Sequence, residues 1–294
     1  MIKKGVYAAS LSVFNDDFSL DIKATLDHGD SLIKNGLHGV FFFGSTGQSQ
    51  LISMAEKKEL VSKLPISKFK KNFHLGTGCN SLKETIEFIK YSIEYDFHNF
   101  LIMPPAYYKG NTEAGVFEFY SKIIKNIPKV KIILYNFEKL SGFKFEVNFV
   151  KKLVDTFPKN IVGCKDSTYN LYENLKIKDF LIFPGDESKL LKGLEIGCSG
   201  CISAIANVTH KLAREVFDNF EKNKPQNSNE KLIMVRHAFD NYNLISALHS
   251  YMSTQNSKFK NLLPPLTLLN STDNKELLKK LETLKFGIKK NIAA

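Results

Sequence analysis

The chain has 294 residues, 43% of them hydrophobic and 24% charged, which excludes collagen-like, low-complexity and disordered classes. Its formal charge of +11 comes almost wholly from lysine, since Arg214 and Arg236 are the only arginines. Lysine is a solvated point charge rather than the planar fork that reads guanine or phosphate, and no run of five like charges occurs, so no nucleic-acid partner is expected. Four cysteines are too few for a disulfide-built fold, and no apolar run reaches about 18 residues, so a soluble, cytoplasmic protein without a membrane partner is expected.

In chain order, short apolar runs predict strands over 5–10, 39–43, 73–76, 100–103, 131–135, 161–165, 180–183 and 200–203. Between them, amphipathic stretches predict helices over 22–35, 54–64, 82–95, 113–125, 147–156, 169–176 and 188–197. Ser53 and Ser81 each precede a glutamate by three residues, the spacing of a capping box. Strands that alternate with helices imply parallel pairing, because parallel neighbours need a crossover. Polar, glycine-containing segments follow most strands, and no single Gly-rich phosphate loop dominates, which favours a closed barrel over an open sheet. After Val208 the strand signal stops, and a polar connector over 222–230 leads into further helices. The expected architecture is an α/β fold: a (β/α)8 TIM barrel over 1–224 with a C-terminal helical extension over 225–294.

Such barrels work at the C-terminal ends of their strands. The sixth strand ends in Cys164-Lys165-Asp166-Ser167. A lysine finishing an apolar strand is directed into the barrel mouth, where desolvation favours the neutral amine, a nucleophile for carbonyl carbon. The same position also suits a lysine that simply extends its ammonium to solvent. Gly44-Ser45-Thr46-Gly47, after the second strand, offers short donors suited to a small carboxylate, or merely makes a turn. Tyr135, at the end of the fifth strand, is placed to move a proton, or to pack its ring. Cys198 and Cys201 form a C-x-x-C without a second half, and the seven histidines make no ligand-spaced cluster; packed cysteines and no metal are expected.

Gly44-Ser45-Thr46-Gly47, then Tyr135-Asn136, then Gly163-Cys164-Lys165-Asp166, then Gly185-Asp186 follow one another in an order and spacing that resembles the dihydrodipicolinate synthase/N-acetylneuraminate lyase family of class I pyruvate-dependent aldolases. Ser12-Val13-Phe14, Gly36, Gly39 and the segment 197–207 extend the resemblance over roughly 5–208. It implies that Lys165 forms an imine with a 2-oxo acid such as pyruvate and that Ser45 and Thr46 hold the carboxylate. Tyr135 would relay protons, and Tyr108 would enter a neighbouring subunit's site. The last role implies a homo-oligomer, by family habit a tetramer built as a dimer of dimers. The iminium is the electron sink, so no cofactor is implied.

The departures bear on substrate. Where the synthase branch continues Asn-Val-Pro-x-Arg-Thr-Gly, this chain reads Asn136-Phe137-Glu138-Lys139-Leu140-Ser141-Gly142, with Leu140 at the arginine position. An arginine–carboxylate fork is thereby lost, and Lys139 replaces it only as a point charge from another direction. Leu140 and the pair Asp186-Glu187 look like the sialic-acid lyase branch, with Ser167, Gly185 and Ser203 as further substrate neighbours, whereas Ile202-Ser203 and Ala206-Asn207 look like the synthase branch. Gln48 stands where glutamate is usual. The leading expectation is a lyase cleaving a 2-oxo-3-deoxy sugar acid or a sialic acid to pyruvate and an aldehyde. The alternatives are 4-hydroxy-tetrahydrodipicolinate synthase, a sugar-acid dehydratase, and a non-catalytic barrel that binds 2-oxo acids.

Overall fold

The computed structural model describes residues 2–287; positions 288–294 of the expected helical extension lie outside the described residues. Eight parallel strands form the sheet: β1 (Gly5–Ala9), β2 (Gly39–Phe42), β3 (Phe73–Gly76), β4 (Asn99–Ile102), β5 (Lys131–Asn136), β6 (Ile161–Asp166), β7 (Leu181–Pro184) and β8 (Gly200–Ser203). Consecutive strands are neighbours from β1 to β7, and β8 pairs with β1 in register Tyr7↔Ile202 and Ala8↔Ser203. The remaining seam is bridged by Ser199, whose N–H donates to the Ile182 carbonyl at 2.7 Å. The result is a nearly closed (β/α)8 barrel.

Residue size sets how closely that ring can draw together. Gly200 has φ of 130°, and a Cβ there would lie 1.9 Å from the Gly5 carbonyl oxygen. Only glycine lets β8 approach β1 so tightly. Alternation along the strands sorts the side chains into two layers. Tyr7, Phe41, Leu101, Ile133, Tyr135, Phe183 and Ile202 meet inside the barrel, while Val6, Val40, Phe42, Leu134 and Cys164 face the surrounding helices.

The helices are α1 (Ile22–Lys34), α2 (Met54–Lys63), α3 (Leu82–Glu94), α4 (Glu113–Asn126), α5 (Glu138–Ser141), α6 (Val147–Thr156), α7 (Leu190–Glu195), α8 (Ala206–Glu221), α9 (Asn229–Ala238), α10 (Leu244–Ser253) and α11 (Ser271–Thr283). Ser53 and Glu56 make the full capping box at α2. Ser81 accepts from Glu84 N at α3 as a simple cap. The polar connector lies between α8 and α9, and α9 to α11 fold back on the barrel. Their Val235, Phe239, Leu248, Tyr251 and Leu277 share a buried cluster with Leu11, Val13, Ile205 and Val208.

Two sequence expectations need correction. No helix forms over 169–176. The fully buried Asp166 carboxylate instead accepts the backbone N–H groups of Thr168, Tyr169, Leu171 and Tyr172 at 2.8–3.2 Å, winding the chain around one side chain. Those donors are then spent on Asp166, and a helix cannot claim them. The helix expected over 188–197 is split into a 3-10 turn (Glu187–Lys189) and α7, because Asp186 caps the turn by accepting from Ser188 N at 2.8 Å.

Candidate active site

Lys165 is the penultimate residue of β6, and its register opposite Tyr135 on β5 and Phe183 on β7 fixes its height near the barrel mouth. Cys164 faces out into the helical layer, so Lys165 points in. It is 4% exposed. Its Nζ donates to Tyr135 Oη at 3.3 Å and lies 4.3 Å from the centre of that ring. Tyr135 Oη in turn accepts from Ser45 Oγ at 3.3 Å. Amine, phenol and hydroxyl thus form one chain across three strand ends. Such a chain is able to join a nucleophile for carbonyl carbon to a path for protons.

Ser45 begins a 3-10 turn (Ser45–Gly47) that follows β2 after Phe43 and Gly44, and Thr46 beside it is buried. Ser12 Oγ donates to the Gly47 carbonyl at 2.7 Å, which pins the turn from β1's side. Gln48 closes it in the left-handed region at φ 56°. Its Oε1 accepts from Leu263 N at 2.8 Å, and its Nε2 lies 3.3 Å from His249 Nε2. Burial holds the His249 pKa down to about 4, so the partner of Gln48 is a neutral ring. This link from the turn to α10 spans 201 residues of sequence, and nothing local in the chain signals it.

Behind Lys165, Asn136 Nδ2 donates to Asp166 Oδ1 and to Asn170 Oδ1, each at 2.8 Å. The ends of β5 and β6 are therefore tied together one residue beyond the Lys165–Tyr135 pair. Ser167 and Gly185 are packed against each other: a Cβ on Gly185 would sit 2.1 Å from Ser167 Oγ.

The neighbouring acids separate. Glu187 has no exposed surface and accepts from Ser203 Oγ at 2.5 Å and from Thr209 Oγ1 at 3.4 Å. Burial, with the nearby Asp186 charge, raises its pKa to about 7. Asp186 instead pairs with Arg236 of α9 at 3.1 Å, which also reaches Asp240. Both carboxylates are thus engaged within the protein, not displayed as a free pair toward a sugar. Cys198 and Cys201 are free and buried, and burial raises both thiol pKa values. Among the described residues no group of His, Cys, Asp and Glu is arranged to hold a metal.

A cavity of about 150 Å³ opens beside the Lys165–Tyr135–Ser45 chain. Of the expected site residues, Ser45, Tyr135 and Leu140 line it, together with Ser49, Gln50, Thr77 and Asn80. Among the described residues no arginine or lysine does. Lys109 donates to the Leu140 carbonyl at 3.3 Å and is not among the lining side chains. Tyr108 is 76% exposed on the loop after β4, with the 81% exposed Tyr107 ring 5.3 Å from its own. The sequence pointed to Lys165, Tyr135 and Ser45 through strand ends. It marked Asn136, Asp166 and Gln48 as motif positions but missed what they hold, because their partners are set by tertiary contacts.

Residues 3–284 match the model of the dihydrodipicolinate synthetase family. The chain is 30% identical over 229 residues to the 4-hydroxy-tetrahydrodipicolinate synthase of Methanothrix thermoacetophila, covering 74% of each protein. Its structure resembles that of dihydrodipicolinate synthase from Agrobacterium tumefaciens, with a TM-score of 0.87 at 22% identity over 96% of this chain and 99% of that one. It is equally similar to the sialic acid aldolase of Ruminococcus gnavus, solved as a variant of its catalytic lysine, with a TM-score of 0.87 at 16% identity over 96% of each chain. The chain therefore belongs to the dihydrodipicolinate synthetase family of class I, pyruvate-dependent aldolases, and is a lyase by class.

Proposed function

We propose that the protein is a Schiff-base lyase that cleaves a hydroxylated 2-oxo acid, a 2-oxo-3-deoxy sugar acid or a sialic acid, to pyruvate and an aldehyde. The observation that carries the substrate choice is the lining of the cavity beside Tyr135. It sets Ser45, Ser49, Gln50, Thr77 and Asn80 among the apolar Leu101, Met103, Pro104 and Leu140, with no cation among the described residues. Hydroxyl groups are matched by such a surface, whereas a second carboxylate would enter without a charged partner.

In this reading Lys165 Nζ attacks the keto carbon, while Ser45 and Thr46 hold the adjacent carboxylate. Tyr135 donates a proton to the departing hydroxyl, and loss of water leaves the iminium. Tyr135, through Ser45, then removes the proton of the C4 hydroxyl. The C3–C4 bond breaks, its electron pair passes into the iminium, and the aldehyde leaves. Protonation of the enamine at C3 and addition of water release pyruvate and restore Lys165. Asp166 and Asn136 act by holding the ends of β5 and β6, which keeps Nζ and Oη in reach of each other. Tyr107 and Tyr108 form an exposed aromatic pair, which supports a second copy of the chain covering this loop and a homo-oligomeric enzyme.

The test is a paired assay. Release of pyruvate is measured from a panel of 2-oxo-3-deoxy sugar acids and N-acetylneuraminate, beside condensation of pyruvate with aspartate semialdehyde. Cleavage of at least one sugar acid, with condensation slower by about tenfold or more, is expected from the loss of one charge-assisted contact. Activity in the condensation alone sinks the substrate assignment.

A further inference from the structure

At the N-terminal ends of the strands, opposite the catalytic mouth, lies a second cavity of about 780 Å³, roughly five times the volume of the first. Phe73 opens β3 there, Asn99 opens β4 and Lys131 opens β5. Six lysines surround it, Lys3, Lys4, Lys70, Lys71, Lys129 and Lys131, against a single acidic side chain, Asp96. Asp96 lies 3.7 Å from Lys70 and 3.2 Å from His98. Lys131 donates to the Lys159 carbonyl. Among the described residues no other carboxylate lines this cavity to answer the remaining positive charge, and a concave, low-dielectric wall concentrates the field of such charges.

His74 lines the same cavity at 4% exposure, packed 5.0 Å from the Phe41 ring and 5.7 Å from the Tyr7 ring. Its Nδ1 is buried and makes no hydrogen bond among the described residues, and the same holds for Asn99 Oδ1. A buried polar atom without a partner forfeits its hydration for nothing. Two of them on one basic cavity point to a ligand with polar atoms of its own. Burial pushes the His74 pKa down to about 3, so the ring is neutral and carries one N–H donor and one acceptor.

We propose that this basal cavity binds a small polyanion bearing two or more phosphate groups, gripped by the lysine ring and met at depth by His74 and Asn99. Lysines serve phosphate as point charges without imposing a bidentate geometry. They encircle a hollow here rather than forming a stripe, and the volume falls in the range of small-molecule sites, which favours a compact ligand over a nucleic-acid strand. Two sources share this chemistry: condensed inorganic phosphate and a nucleoside triphosphate. Asn99 Oδ1, as an acceptor, suits a hydroxyl or amine of the latter.

Isothermal titration of the full chain near physiological salt, with inorganic tripolyphosphate and with ATP as separate probes, tests the site. One saturable site per chain is expected with at least one probe. The Lys4→Gln/Lys71→Gln/Lys129→Gln variant, altered only at exposed positions, should bind it about tenfold or more weakly. That variant should still trap pyruvate as the wild type does, and Lys165→Ala should still bind the polyanion, so the two sites fail separately. Tighter binding of ATP identifies a nucleotide site, and equal binding identifies a condensed-phosphate site; either supports the proposal. It is overturned by no saturable binding of either probe at millimolar concentration, by affinity that the triple variant leaves unchanged, or by a single-stranded RNA that binds more tightly than both.

Discussion

Glu187 carries no exposed surface, and its pKa of about 7 against an ordinary value of 4.5 makes it a stability element with a defined pH window. The folded state holds its proton more tightly than the unfolded chain does. Its contribution is therefore fully present below about pH 4.5 and is lost as pH rises through 7, a change of about 3 kcal/mol. Glu187→Gln keeps the acceptor for Ser203 without the charge. It should flatten the loss of stability between pH 5 and pH 8, read as the change in urea midpoint; an unchanged pH slope would show that Glu187 does not titrate there. The sequence presented Asp186 and Glu187 as one acidic pair because they are adjacent. The fold turns one toward Arg236 and the other toward Ser203 and Thr209, partners 16 to 50 residues away that no local pattern names. Lys165 was legible for the opposite reason: its strand is apolar up to Cys164, so alternation alone sets its direction.

At the scale of elements, the segment after β6 shows how a single side chain displaces a helix. Tyr169, Tyr172, Leu171 and Leu175 repeat at helical spacing, and the sequence reads as amphipathic. Asp166 takes four backbone N–H groups from that stretch and a fifth donor from Asn136. Bonds to a buried charged group are worth more than those of a helix exposed to water. Asp166→Ala should cost about 3 kcal/mol or more in urea unfolding, because it strands several buried donors at once. A loss below about 1 kcal/mol would mean the loop holds itself. Strand and helix order was otherwise legible, since caps such as Ser53 with Glu56 and the apolar strand runs are local signals.

At the scale of the whole molecule, the barrel presents two ends of different chemistry. The mouth joins Lys165, Tyr135 and Ser45 beside the Ser45–Gly47 turn, which is braced from outside the barrel, through Gln48, by His249 and Leu263. The base collects lysines around a large cavity, which gives part of the +11 charge a location that composition alone could not supply. The C-terminal helices were read from sequence as a trailing extension. In the fold they cover Leu11, Val13 and Ile205 and reach back to the turn that is assigned the substrate carboxylate, contacts set by tertiary packing across the length of the chain.

The central claim is that Lys165 forms a Schiff base, and reductive trapping tests it most directly. The protein is incubated with pyruvate, reduced with borohydride, and examined by intact mass and peptide mapping. One reduced pyruvate per chain, located on Lys165 and lost in Lys165→Ala, is the predicted result. A chain that stays unmodified while a known class I aldolase is trapped under the same conditions, or an adduct that persists in Lys165→Ala, would contradict it.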